Sequence, residues 1–205
     1  MSDLFGYYKS DDEVNNENLS KIDGLSMLYN FISKEEEEYL IKHIEKSVWI
    51  DDLKRKVQHY GYRYNYKTRR IDESLHIGVL PKWMSQVIRK IQDIDNKIDP
   101  IRQVIINNYE VGQGISPHID CEPCFGNYII ALSLLSDIVM QFRHQDNGDV
   151  IDIKLPRRSL VIIKDDARYK FTHGIAPRKK DSFNGSVNNR SRRISMTFRS
   201  VILNN

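Results

Sequence analysis

The residues whose types and spacing could do chemistry lie in the second half of the sequence. His118 and Asp120 stand two apart at the end of the stretch 107–120, N-N-Y-E-V-G-Q-G-I-S-P-H-I-D. In an extended strand, positions i and i+2 share a face, so an imidazole nitrogen and a carboxylate oxygen would sit side by side. They would supply two corners of a 2-His-1-carboxylate site, which holds non-haem Fe(II) and leaves coordination positions open. A lone His-x-Asp is usually only a solvated pair, so a third ligand is required. Of the six histidines, His173 meets the requirement, closing the alternating run 168–174, R-Y-K-F-T-H-G, of a half-buried strand. Further on, Arg193-Ile-Ser-Met-Thr-Phe-Arg199 places two arginines six residues apart within a strand. Six is even, so both guanidiniums face one side. Arginine stays charged and binds carboxylates bidentately, so two of them turned inward ask for an anionic ligand. Iron ligands beside a carboxylate anchor imply a 2-oxo acid co-substrate.

The series Asn107-x-Tyr109, His118-x-Asp120, His173 and Arg193-x5-Arg199 resembles, in order and spacing, the AlkB family of Fe(II)- and 2-oxoglutarate-dependent dioxygenases. The likeness runs from about Phe31 to Val201. Within the family it is greatest to the eighth animal AlkB homologue, which hydroxylates a modified wobble uridine in tRNA. That closer match is carried by Val57-Gln-His-Tyr-Gly-Tyr, Gly112-Gln-Gly-Ile, His118-Ile-Asp, Leu155-Pro-Arg-Arg-Ser-Leu, Arg168-Tyr and Thr172-His-Gly-Ile. The resemblance implies that His118, Asp120 and His173 are both the metal ligands and the catalytic centre, with Fe(II), 2-oxoglutarate and O2 as cofactor and co-substrates. It implies that Arg193 pairs with the distal carboxylate of 2-oxoglutarate, that Asn107 and Tyr109 hydrogen-bond along it, and that Arg199 braces Asp120. A family asparagine two residues after the first arginine is Ser195 here. Three function classes follow: an RNA-directed hydroxylase of wobble uridine, an oxidative demethylase repairing N-alkylated DNA or RNA, and a non-catalytic nucleic-acid-binding domain. The animal branch also carries RNA-recognition and methyltransferase domains and a C-terminal zinc site with cysteines that this chain does not show. A separate methyltransferase or RNA-binding protein is therefore an expected partner.

The elements that must position these residues can be read more coarsely. Residues 101–201 alternate between short apolar runs and turn residues, the pattern of a sandwich or jelly roll. The expected fold is mainly β with flanking helices, and the resemblance implies a double-stranded β-helix. Strands are expected at 104–109, 128–135, 138–142, 150–154, 159–164, 169–173 and 194–199, with a short one at Tyr29–Ile32. Ser33 and Glu36 form a capping box for a helix whose glutamate run is a solvated start. A second helix is expected from Pro81, with Trp83, Val87, Ile88 and Ile91 at helical spacing. Residues 1–24 are acidic and polar and are read as a flexible segment, ahead of a dioxygenase domain at 25–205.

Between Lys54 and Arg70 lie seven Lys or Arg residues, no acid, and tyrosines at 60, 62, 64 and 66. Read as one strand, the stretch puts all four rings on one face and cations on the other. Such rings can stack on a base while cations meet phosphate; a half-buried core strand is the competing reading. By resemblance this is the nucleotide-recognition lid, with Tyr60, Arg63, Tyr64, Arg69 and Arg70 as substrate candidates. Arg157-Arg158 is read either as a phosphate contact or as a turn before a strand, and the basic stretch 178–193 either as a phosphate contact or as a solvated loop. Cys121 and Cys124 lack the second pair that a zinc site needs and are read as two unpaired thiols near the rim. With only two cysteines, a net charge of +3, no secretory leader and no membrane-spanning run, a cytoplasmic or nuclear protein is expected.

Overall fold

The computed structural model describes residues 8–51, 55–64 and 70–203. Its strands are β1 (Leu25–Leu28), β2 (Lys56–Tyr60), β3 (Gln103–Tyr109), β4 (Ile115–His118), β5 (Phe125–Leu134) and β6 (Ile138–His144). They continue with β7 (Val150–Leu155), β8 (Leu160–Ile163), β9 (Phe171–Ile175), β10 (Lys180–Phe183), β11 (Ser186–Asn189) and β12 (Arg193–Val201). The helices are α1 (Asp11–Leu19), α2 (Lys34–Lys46), α3 (Ser85–Gln92) and α4 (Asp165–Tyr169). A six-stranded antiparallel sheet, β1-β8-β5-β12-β3-β2, faces a four-stranded one, β4-β9-β6-β7, while β10 and β11 form a separate hairpin. This is the expected jelly roll.

Every residue of β12 is buried, because both faces of the large sheet are covered. Ile194, Met196 and Phe198 pack outward with Leu40 and Ile44 of α2 and Val87 and Ile91 of α3. Arg193, Ser195, Thr197 and Arg199 point to the opposite side and line a cavity between the sheets. The period of two thus splits one strand into an apolar half that anchors it and a polar half that serves the site. Neighbouring β3 repeats the division, with Val104 and Ile106 outward and Ile105, Asn107 and Tyr109 inward.

Several elements differ from the sequence expectation, each for a local reason. The first strand is Leu25–Leu28 rather than Tyr29–Ile32, paired with β8. The acidic segment expected to be flexible carries α1, opened by a Ser10–Glu13 capping box. Beyond Leu19 it has little apolar face; Asn18 donates to the Asp152 carbonyl at 3.0 Å, and the Asn15 amide donates to the Lys154 carbonyl at 2.9 Å and accepts from the Lys154 N–H at 2.8 Å. That side chain satisfies the open backbone edge of β7 as a further strand would. In α2 the capping box is present, but Glu37 of the supposedly solvated run is only 1% exposed. Its carboxylate accepts from Arg157 Nε and the Leu135 N–H, both at 2.8 Å, so Arg157 ties a turn to α2. The stretch 178–193, read as a loop, folds into the β10–β11 hairpin around Asp181, which accepts from Arg190 at 2.7 and 2.8 Å and from Arg178 at 2.8 Å. The strand expected at 169–173 begins at Phe171, after the short α4.

The tyrosine stretch does not run as one strand. β2 ends at Tyr60, and Gly61 turns the chain with φ +77°. A Cβ on Gly61 would lie 1.9 Å from the Arg102 carbonyl oxygen, so only glycine fits. The reversal sends Tyr60 to the helix-side core, edge-on to Trp83 at 5.8 Å between ring centroids, and Tyr62 to the other side of the sheet. Gly61→Ala is expected to cost at least about 2–3 kcal/mol and to lower the thermal midpoint by roughly 5–10 °C. A melting curve on the purified variant checks this, and an unchanged midpoint would contradict the turn.

Candidate metal centre

The two histidines are brought together by strand pairing. His118 on β4 and His173 on β9 are direct cross-strand partners, with ring centroids 4.5 Å apart. The register shifts between Ile115 and His118, and the β4 backbone there presses on Gly174. A Cβ on Gly174 would sit 2.8 Å from the Pro117 nitrogen, which explains a glycine next to His173. Asp120 lies just past the strand end, in the following turn. One ligand atom from each of His118, Asp120 and His173 lies within 4.8 Å of the other two.

Their hydrogen bonding leaves the right atoms for a metal. His118 Nδ1 lies 2.9 Å from the Ser116 carbonyl, an acceptor only, so Nδ1 carries the proton and Nε2 keeps its lone pair. Burial, with His118 alongside, pushes His173 down to about 3, so its imidazole is neutral near pH 7 and able to ligate. Burial opposes ionisation of Asp120, but the Arg199 guanidinium overrides it and holds the carboxyl at about 2. Arg199 Nη2 donates to Asp120 Oδ1 at 2.5 Å. Asp120 Oδ2 is buried without a hydrogen-bond donor, 3.5 Å from His173 Nε2. A buried carboxylate oxygen facing two imidazoles, with no donor of its own, fits a bound divalent cation.

The turn that presents Asp120 is itself fixed. Arg168 of α4, 2% exposed, donates from Nη1 to the Asp120 carbonyl at 2.7 Å and from Nη2 to the Cys121 carbonyl at 3.2 Å. Cys121 and Cys124 are joined by a disulfide, in place of the two unpaired thiols expected. Both are buried, and the C-x-x-C spacing brings their Cα atoms to 5.3 Å, within bridging reach.

The cavity next to the histidines has a volume of about 860 Å³. Arg193 lines it, is 1% exposed, and donates from Nη2 to Ser133 Oγ at 2.8 Å. Its Nε and Nη1 are buried with no acceptor. Burial lowers Arg193 to about 10, which still leaves it charged. A buried cation with unmet donors is costly unless an anion joins it, so this end of the cavity fits a carboxylate. Asn107, Tyr109 and Ser195 line the same wall. Of the substrate candidates, Tyr64 lines the cavity and packs against Phe125 at 5.8 Å. Tyr60 does not: Gly61 sends it to the helix side. Arg63 and Arg70 are exposed and outside the cavity lining, and Arg69 lies outside the described residues. Sequence reasoning missed Arg168 and Arg55. Arg55 lines the cavity and donates from Nε to Asn107 Oδ1 at 2.8 Å.

Comparison with known proteins agrees with this geometry. The family model described as the 2OG-Fe(II) oxygenase superfamily matches residues 24–199. An uncharacterized protein, L905, of Acanthamoeba polyphaga mimivirus is 40% identical over 185 residues, spanning 88% of this chain and 86% of that protein. A protein named tRNA (carboxymethyluridine(34)-5-O)-methyltransferase alkbh8, of Xenopus tropicalis, is 38% identical over 200 residues. The match covers 87% of this chain but 32% of that relative, so the chain spans about a third of its length. A solved structure of OsALKBH1 superposes with a TM-score of 0.66 over 86% of this chain and 96% of that one, at 15% identity, a likeness of fold. No helix among the described residues is long and apolar enough to cross a membrane.

The unmet Arg193 donors have a measurable consequence. Arg193→Met is expected to raise the stability of the ligand-free protein by about 1–2 kcal/mol, since an apolar chain replaces an unpaired buried cation. At a dicarboxylate concentration about 100 times its Kd, the parent gains about 2–3 kcal/mol and the variant gains none. Anaerobic urea titration with and without 2-oxoglutarate reads both effects; an equal gain in the variant would remove Arg193 as the anchor.

Proposed function

The chain belongs to the 2OG-Fe(II) oxygenase superfamily, in its AlkB family, and on that footing we propose that it hydroxylates the side chain of a modified wobble uridine in tRNA. It is an Fe(II)- and 2-oxoglutarate-dependent dioxygenase. A metal held by these residues would, with 2-oxoglutarate, supply the activation of O2 that places one oxygen atom in a substrate C–H bond and the other in succinate.

The chain's own residues prepare that chemistry. His118, Asp120 and His173 would hold the metal at the wall of the cavity. Arg199 keeps Asp120 ionised and fixes its oxygen, and Arg168 fixes the backbone that carries it. Arg193 takes the distal carboxylate of 2-oxoglutarate, with Asn107 and Tyr109 beside it on β3. Ile129, Ala131, Met140 and Val161 line the cavity with apolar surface that excludes water from the reacting centre. Tyr64 offers a ring on which a flipped-out base can stack. Arg63 and Arg70, exposed on the same segment, suit phosphate.

The observation that carries the oxygenase chemistry is the meeting, in one cavity, of the three ligand groups and a buried arginine with unmet donors. The tRNA substrate is supported by the relative named for carboxymethyluridine 34, which matches most of this chain. Aerobic incubation with Fe(II), 2-oxoglutarate and total tRNA, followed by nucleoside mass spectrometry, should show one added oxygen on a 5-substituted wobble uridine. His118→Ala should abolish both iron binding and turnover. If methyl groups are instead lost from N-methylated DNA or RNA oligonucleotides while tRNA stays untouched, the protein is an oxidative demethylase.

A further inference from the structure

We propose that the Cys121–Cys124 bond is a redox modification site, opened by small thiols and closed by the matching disulfides, that sets how tightly the chain holds its metal. The inference rests on the metal-centre reading and is independent of which nucleic acid is oxidised. The bond lies between two residues that the centre uses. Asp120 immediately precedes Cys121, and Phe125, the ring on which Arg199 stacks at 4.6 Å, immediately follows Cys124. The bridge therefore closes a short loop with the metal-facing carboxylate at one end and the shelf under its counter-ion at the other.

The two ends of the loop are held unequally. The Cys124 carbonyl accepts from the Ile202 N–H at 2.9 Å, which ties that end to the chain just past β12. At the other end, the N–H groups of Cys124 and Phe125 and the Nη2 of Arg168 all donate to the Cys121 carbonyl, each at 3.2 Å. Three donors share one oxygen with two lone pairs, at the long end of the normal range, so the hydrogen bonds alone close the turn weakly. The covalent bridge passes the firm anchoring of Cys124 on to Cys121 and so to Asp120. Both cysteines are buried, but Cys121 lines the cavity with the exposed Glu122 and Pro123, which gives a small thiol a route to the bond. A thiolate attacks Cys121 Sγ, the S–S bond breaks, and Cys124 leaves as a thiolate; a second thiolate then releases Cys121 from the mixed disulfide. The balance is Cys121–S–S–Cys124 + 2 R–SH → Cys121–SH + Cys124–SH + R–S–S–R. Two electrons pass from the small thiols to the protein, and the reverse exchange closes the bond. Arg168 still holds the Asp120 carbonyl after reduction, so the turn loosens while the fold persists. By linkage, a metal that favours the closed form also makes the bond harder to reduce, by the same factor.

The test measures anaerobic binding of Mn(II), a cation with little preference for thiolate, to the full chain after oxidation with glutathione disulfide and after reduction with a phosphine. Reduction should weaken Mn(II) binding by at least about tenfold, the scale on which groups supporting metal ligands act. In a dithiothreitol redox buffer, saturating Mn(II) should lower the midpoint potential of the bond by about 30 mV for each tenfold difference in affinity. The double variant Cys121→Ala, Cys124→Ala should bind as weakly as the reduced protein, ignore the reductant and keep a cooperative melting transition. Equal Mn(II) affinity in the two redox states overturns the proposal, as does tight binding by the double variant. So does an oxidised protein whose two thiols still react with an alkylating agent, or a reduced one that no longer melts cooperatively, which would make the bond a support of the fold alone. If neither redox state binds Mn(II), the metal-centre reading falls and takes this one with it.

Discussion

The pairing of Arg199 with Asp120 is the contact on which the site depends. It joins the middle of the large sheet to the turn between β4 and β5. A carboxyl group this deeply buried would prefer to be neutral, and a neutral carboxyl is a poor metal ligand. The guanidinium reverses that preference and occupies one carboxylate oxygen, leaving the other without a donor. Stacking of Arg199 over Phe125, at 4.6 Å to the ring centroid, and its bond to Gln103 keep the head in place. Charge, orientation and vacancy at the metal-facing oxygen all come from this one interaction.

Buried cations recur through the interior, each with a different answer to the cost of desolvation. Arg168 is satisfied by backbone carbonyls and serves geometry. Arg190 is satisfied by Asp181 and closes the β10–β11 hairpin. Arg193 is left short, with one serine hydroxyl and an aromatic ring. The deficit lies in the wall of the cavity beside the histidines, so an anion bound there would return stability that the empty site withholds. A site of this kind trades rest-state stability for affinity.

The chemistry was legible in the sequence because it obeys parity. Arg193 and Arg199 six apart, and Asn107 and Tyr109 two apart, lie in strands whose alternation decides which way each side chain points, while His118 ends its strand and Asp120 follows just beyond it. The jelly roll followed from the same alternation of short apolar runs. Parity fails where the backbone leaves the ideal path. Gly61 reverses the face of the tyrosine series, so Tyr60 and Tyr64 end on opposite sides of the sheet, which no count of spacing reveals. Arg55 and Arg168 act on partners 52 and 48 residues away, and nothing local to them marks those partners. Helix α1 was missed because polar contacts to β7, through Asn15, Asn18 and Asp11, do most of the work that an apolar stripe usually does. C-x-x-C spacing is compatible with thiols or a bridge, and only the surrounding turn decides between them.

The strand pairing that joins His118 to His173 also says when, during folding, the site comes into existence. β4 is a four-residue strand at the edge of the smaller sheet, and β9 arrives far later in the chain. The Asp120–Arg199 contact spans 79 residues, so its loop must close before either partner is useful. Contacts of such high order form late, after the local hairpins β6–β7 and β10–β11 have a chance to assemble. A chain ending before β12 would hold the three ligand residues without Arg199, the group that keeps Asp120 ionised.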